Sequence, residues 1–206
     1  MELLHKAIVV QVPSAGRSDY IFFDSQRGTI TVRLQKKNKL REIPRGSLVH
    51  FTAREAYNGY SSEYIEIVDT PREWVINNIW FLHHLLELID FFLPRNHQAE
   101  NIFRLVMILY QPLDDVDILF FQKFFLCKFF IMIGIYPEPR QQEDREFLSM
   151  LISDANCQVN RQKYVFLEKK MIQWLGECIG LHPHADRLKT KIMEPWLAYE
   201  KNNTHW

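Results

Sequence analysis

Arg33, Lys36, Lys37, Lys39, Arg41 and Arg45 crowd into one short stretch with a single acid among them, Glu42, in a chain whose Lys+Arg and Asp+Glu counts are equal at 25 each. The positive charge is therefore local. Cations at that density are suited to a phosphate backbone, because each phosphate neutralised releases condensed counterions whatever the base sequence. Upstream, Thr29-Ile30-Thr31-Val32-Arg33-Leu34 alternates polar and apolar residues, which predicts a strand that buries Ile30, Val32 and Leu34. Downstream, Pro44 and Gly46 close the basic segment and a second β-rich run starts at Ser47. The segment thus reads as a basic loop between two strands of a small sheet, placed to hold a nucleic acid. A solvated hairpin tip has the same composition, and the run of charges does not separate the two.

Other residues with chemical potential are less organised. Asp114, Asp115 and Asp117 could bind a divalent cation, yet acids at the start of a helix are the ordinary response to its dipole. Cys178, His182 and His184 form a loose Cys-x3-His-x-His whose spacing matches no standard zinc site, with Pro183 pointing to a surface loop. His83 and His84 are consecutive on a helix and point in different directions, one to a core edge and one to the surface. No phosphate-cradling glycine motif and no nucleophile elbow is present, and seven glycines leave little material for one. A binding protein without a cofactor, metal or catalytic residue is the expectation.

Composition limits the setting. The three cysteines, Cys127, Cys157 and Cys178, are odd in number and far apart, which disfavours a disulfide framework and fits a reducing, cytoplasmic compartment. The N-terminal residues do not read as a signal peptide, since Glu2 precedes only a short apolar run. The most membrane-like window, 118–136, contains Gln122, Lys123 and Lys128. Each lysine at a bilayer centre costs about 2.5 to 3.5 kcal/mol, so a helix buried by other helices is expected there and no membrane partner. Residues 1–70 carry a net +2 and the remainder −2, so any nucleic-acid reading rests on the patch and not on net charge.

The elements that would position the basic segment change character near residue 70. Leu4 to Val12, Asp19 to Asp24, Thr29 to Leu34, Ser47 to Ala53 and Glu63 to Val68 read as five strands, separated by turn signals at Pro13 to Gly16, Ser25 to Gly28 and Asn58-Gly59. Five short strands with no crossover helix predict a small antiparallel barrel of the oligonucleotide-binding type over residues 1–69. Thr70-Pro71-Arg72-Glu73 has the form of a capping box, and an apolar stripe at helical spacing then runs from Trp74 to Phe92. Further helices are predicted over Ile102 to Leu109, Val116 to Ile135, Arg140 to Asp154, Lys163 to Ile179 and Ala185 to Tyr199, with Pro195 kinking or ending the last. The expected fold is α+β: a five-stranded barrel, then an all-α bundle over residues 70–206.

This order of parts resembles that of the bacterial DNA repair protein family RecO. The similarity lies in Asp24-Ser-Gln-Arg-Gly-Thr-Ile-Thr-Val32 running into the basic segment, in the helix from Trp74 to Leu93 with its Leu-Leu-Glu-Leu-Ile-Asp, and in Phe125 to Pro137, an apolar helix ending in a glycine-aromatic-proline turn. It covers residues 18–137, with an echo from Lys163 to Lys191. The resemblance implies an oligonucleotide-binding barrel followed by a helical domain, DNA binding and strand annealing in recombinational repair, and recombinase loading with RecR-like and single-strand-binding protein partners. Many members of the family place a cysteine-rich zinc module after the corresponding turn. Here the chain continues as Gln141-Gln-Glu-Asp-Arg-Glu146, with no cysteine before Cys157, so that module is absent.

The expected function is that of a non-enzymatic mediator which binds single- or double-stranded DNA through Arg33, Lys36, Lys37, Lys39, Arg41 and Arg45. The alternative is a non-catalytic interaction scaffold whose barrel docks a protein and whose basic loop is solvated. An exposed aromatic beside the cations, Tyr57 or Tyr60, would favour the first, because bases need a ring to stack on.

Overall fold

The computed structural model describes residues 4–14, 19–35, 43–112, 117–139, 141–153 and 168–194. The chain is α+β and divides into two compact units, Met1–Pro112 and Leu113–Trp206. The boundary expected after residue 69 marks the change from strand to helix, while the first compact unit extends past it and takes in the helices up to Tyr110.

Seven strands form one sheet in the order β5-β6-β3-β2-β1-β4-β7. They are β1 (Leu4–Gln11), β2 (Asp19–Asp24), β3 (Gly28–Leu34), β4 (Leu48–Thr52), β5 (Arg54–Ala56), β6 (Gly59–Ser62) and β7 (Ile65–Asp69). β1 lies antiparallel to both β2 and β4, β2 to β3, β4 to β7 and β5 to β6, whereas β3 and β6 run parallel. The predicted fourth and fifth strands are present but longer and broken. Ala53 alone separates β4 from β5, and Glu63-Tyr64 separates β6 from β7. At that double break Thr52 N donates to Tyr64 O at 3.1 Å, and Tyr64 N to Thr52 Oγ1 at 3.3 Å. The two arms therefore bend together. Asn58-Gly59 makes the expected hairpin, with Gly59 at φ +124°.

The alternation follows the pleat. Ala7, Val9, Phe22, Ile30, Val32, Val49, Phe51 and Ile65 meet in one core, joined by Ile43. Along β1 the run Ala7-Ile8-Val9-Val10 is buried throughout, because the opposite face is covered as well. On that face Phe23 meets Phe103 of α3 (Glu100–Met107) with ring centroids 5.5 Å apart.

The capping box expected at Thr70 does not form. Helix α1 (Arg72–Asn77) has no side-chain cap and starts after Pro71, while Thr70 N is turned to Asp69 Oδ1 at 2.7 Å. The single helix expected from Trp74 to Phe92 is two, because Asn78 leaves the helical conformation and caps α2 (Ile79–Phe92) by accepting from Phe81 N at 3.0 Å. Asparagine does this readily, its short amide competing with the backbone inside a helix but satisfying an orphan donor at its start. The break lets buried Trp74 fold back on Phe81, with ring centroids 5.0 Å apart. After α2 the chain returns to the sheet edge: Thr29 Oγ1 donates to Leu93 O and Pro94 O at 3.2 Å each, and Asn96 N donates to Thr29 O at 3.0 Å.

The second unit contains α4 (Ile118–Met132), α5 (Gln142–Ser153), α6 (Glu168–Ile179), the short α7 (Ala185–Leu188) and a π-helical stretch, Lys189–Met193. Asp117 caps α4 by accepting from Phe120 N at 3.0 Å, so this acid serves the helix; Asp114 and Asp115 lie outside the described residues. Every residue from Phe120 to Phe130 is buried, as expected of a helix with apolar residues all round. The helix ends as predicted at Gly134 (φ +74°), where Gly134 N donates to Ile131 O at 3.0 Å and Ile135 N to Phe130 O at 2.9 Å. These two bonds are the Schellman pattern. Phe147 of α5 and Tyr136 both pack on Trp174 of α6, and Lys170 Nζ reaches Asp144 Oδ1 at 2.7 Å. Pro195 lies outside the described residues.

Candidate nucleic-acid interface

Arg33, the first residue of the basic segment, lies in β3 beside β6. Gln35 N donates to Ser62 O at 3.0 Å, extending the β3–β6 pairing by one step, and Ile43 lies in the core. Lys36, Lys37, Lys39 and Arg41 lie outside the described residues, so Arg33 and Arg45 are the members of the predicted set whose surroundings can be stated.

Arg33 stands directly opposite Asp19 in the β2–β3 register and grips it with both arms of its guanidinium, Nε to Oδ1 at 2.7 Å and Nη2 to Oδ2 at 3.2 Å. Its side chain nevertheless keeps 66% of its surface exposed. Water screens an exposed pair of this kind, so Arg33 can exchange Asp19 for a phosphate at little cost. Arg45 is bound differently. Its Nε donates to Val10 O at 2.7 Å; burial pushes its pKa down, and nearby Asp90 pulls the other way. Asp90 also accepts from Gln11 Nε2 and, at 2.6 Å, from Arg95 Nη2. Arg45 thus helps to fasten β1 to α2, and the two described cations are committed to different neighbours.

The aromatic candidates separate in the same way. Tyr57, at the tip of the β5–β6 hairpin, is fully exposed. Tyr60 is half-buried against the core, and the Arg27 guanidinium carbon lies 4.9 Å from its ring centroid, so one face is already covered by a cation. Arg54, the first residue of β5, pairs with Glu63 at 2.7 Å.

Arg27 belongs to a group that the sequence reading did not identify. Asp24 is wholly buried, and its Oδ1 accepts from Gln26 N and Arg27 N, both at 2.8 Å, which shapes the turn into β3. Its other oxygen, Oδ2, has no hydrogen-bond partner among the described residues and lies 3.6 Å from Nδ1 of buried His5. Arg27 Nη1 approaches the same imidazole at 3.0 Å from Nε2 and 3.3 Å from Nδ1. Phe51 lies against the ring as well, with centroids 5.6 Å apart. The Asp-x-x-Arg-Gly spacing signals the turn, but nothing along the chain links it to His5, which is brought alongside only by the pairing of β1 with β2.

The remaining candidates are used by the fold. His182 Nδ1 accepts from His184 N at 3.0 Å, and Cys178 Sγ donates to Ile135 O at 3.5 Å. Burial raises the thiol pKa of Cys178 to about 12 and pushes that of Cys127 well up, so neither is poised as a thiolate. Cys157 lies outside the described residues. Of the histidine pair, His84 is buried and His83 half-buried. Among the described residues no group of three or more His, Cys, Asp or Glu side chains is placed to hold a metal ion, and no helix is long and apolar enough to cross a membrane. The chain matches no family model, and a search of curated proteins found no match.

Proposed function

We propose that this protein is a non-catalytic, DNA-binding mediator of recombinational repair, similar in role to the RecO family, acting in the cytoplasm with RecR-like and single-strand-binding partners. The observation that carries this reading is the pairing pattern of the sheet. With β4 and β5 taken as one bent strand and β6 and β7 as another, the neighbours run first strand to second, second to third, third parallel to fifth, fifth to fourth, and fourth back to first. That circuit is how a five-stranded oligonucleotide-binding barrel closes, and the bonds between Thr52 and Tyr64 support the bend it requires. Fold alone does not give function. What adds to it is the density of cations from Arg33 to Arg45 in the sequence, with Tyr57 exposed on the hairpin that follows β5.

The test is binding to a labelled single-stranded oligonucleotide across a salt series, for the full chain and for the variant Lys36→Glu/Lys37→Glu/Lys39→Glu. Binding that weakens with salt and is lost in the variant supports the proposal. No binding at 50 mM salt, or identical salt dependence in the two proteins, overturns it. In that event the interaction-scaffold reading takes its place, favoured by an apolar patch at the α1–α2 junction where Ile76 and Trp80 are 78% and 61% exposed.

A further inference from the structure

His5 is held on three sides by groups that respond differently to its charge. An atom in line with the lone pair of one ring nitrogen cannot also lie close to the other, so the near-equal approach of Arg27 Nη1, 3.0 and 3.3 Å, puts the guanidinium against the ring face. A neutral imidazole tolerates a cation there; an imidazolium repels it. At the ring edge Asp24 Oδ2 waits at 3.6 Å, buried and without a hydrogen bond among the described residues. β4 offers Phe51, its own His50 being registered against Lys6, and α2 contributes Asp90 near Gln11 at the far end of β1. Beyond Arg27 lies the Tyr60 ring.

The geometry points to His5 as a proton-operated latch: the neutral ring keeps Arg27 folded over Tyr60, and the protonated ring turns to Asp24 and releases Arg27 as an added cation for DNA. The part concerning DNA rests on the function proposed above; the latch itself does not. The movement needs only side chains, because the Arg27 backbone is anchored independently through Arg27 N to Asp24 Oδ1. Tyr60 registers against Val32 and the next residue, Ser61, against Arg33, so the released guanidinium joins the stretch of sheet that carries Arg33. Burial and Arg27 both lower the pKa of His5, while Asp24 opposes them, so the neutral, latched form prevails at neutral pH and acid opens it.

Two measurements on the full chain test this. By NMR, Arg27→Gln should raise the titration midpoint of His5 and Asp24→Asn should lower it, and the Arg27 Nε signal should move as His5 titrates. A His5 midpoint unchanged by Arg27→Gln, or a fixed Arg27 signal between pH 7.5 and 5.5, overturns the latch. In oligothymidine binding, the salt slope of the wild type should steepen by about 0.7 between pH 7.5 and 5.5, one further phosphate contact, and that of Arg27→Gln should steepen by less. Equal steepening in both proteins overturns the release to DNA. Absence of binding at both pH values is the failure of the DNA reading, and is told apart because the His5 and Arg27 signals still report the latch.

Discussion

The backbone of His97 passes so close to Gly28 that a β-carbon on Gly28 would overlap the His97 carbonyl oxygen. Gly28 also sits at φ +69°, where a side chain is disfavoured even in open space. This one residue therefore closes the β2–β3 turn and lets the segment after α2 lie along the sheet, as the bridge between Thr29 and Arg95 requires. Gly28→Ala should cost about 2 kcal/mol or more. Gly46→Ala, at φ +82° in the same unit, meets the flexible side chains of Leu82 at 3.1 Å and Leu86 at 3.7 Å and should cost less. Urea denaturation of the two variants checks the order, and equal losses would mean that the His97 approach is of no energetic importance.

Asn78 sets a second prediction. Its side chain caps the start of α2 by accepting from Phe81 N, so Asn78→Ala should lower stability by about 1 kcal/mol. Asn78→Asp, which keeps the acceptor, should lose less. A more stable alanine variant would show that α1 and α2 prefer to fuse into the continuous helix their apolar pattern suggests.

Stability should fall on acidification. His5 and His83 in the first unit and His182 in the second all have pKa values lowered, in each case chiefly by burial, with Arg27, Arg45 and His184 respectively adding to the effect. Below the ordinary imidazole value of about 6.5 the unfolded chain binds more protons than the folded one. Their contribution is complete above that value and is lost as pH drops through the folded-state values. The urea midpoint, followed by tryptophan fluorescence, should therefore decline from pH 7 to pH 5, and the double variant His5→Gln/His83→Gln should decline less. A midpoint that rises over this range would contradict the assignment.

For DNA binding, Arg33 and Arg45 are already engaged within the protein, which leaves Lys36, Lys37, Lys39 and Arg41 as the cations counted on to meet phosphate. About four contacts on a single strand correspond to a roughly 50-fold loss of affinity between 50 and 200 mM salt. Asp19→Asn should free Arg33 from its ion pair and tighten binding, while Arg45→Gln should act mainly on stability, through the bond to Val10 O. Tighter binding in an Arg45 variant than in an Asp19 variant would reverse these roles.

The sequence by itself determined the local features. Alternation set which side chains of β3 and β7 turn inward, Gly28 and Asn58-Gly59 fixed two turns, and Gly134 ended α4, because each depends on backbone preferences and on burial within a few residues. The density of cations between Arg33 and Arg45 was legible for the same reason. What only the tertiary structure decided were relations between distant residues. It drew Arg45 inward to Val10, set Asp19 opposite Arg33, and divided the compact units after Pro112 instead of at the change from strand to helix. It also brought His5 to Asp24 and Arg27, since strand register joins residues whose separation along the chain gives no sign of contact.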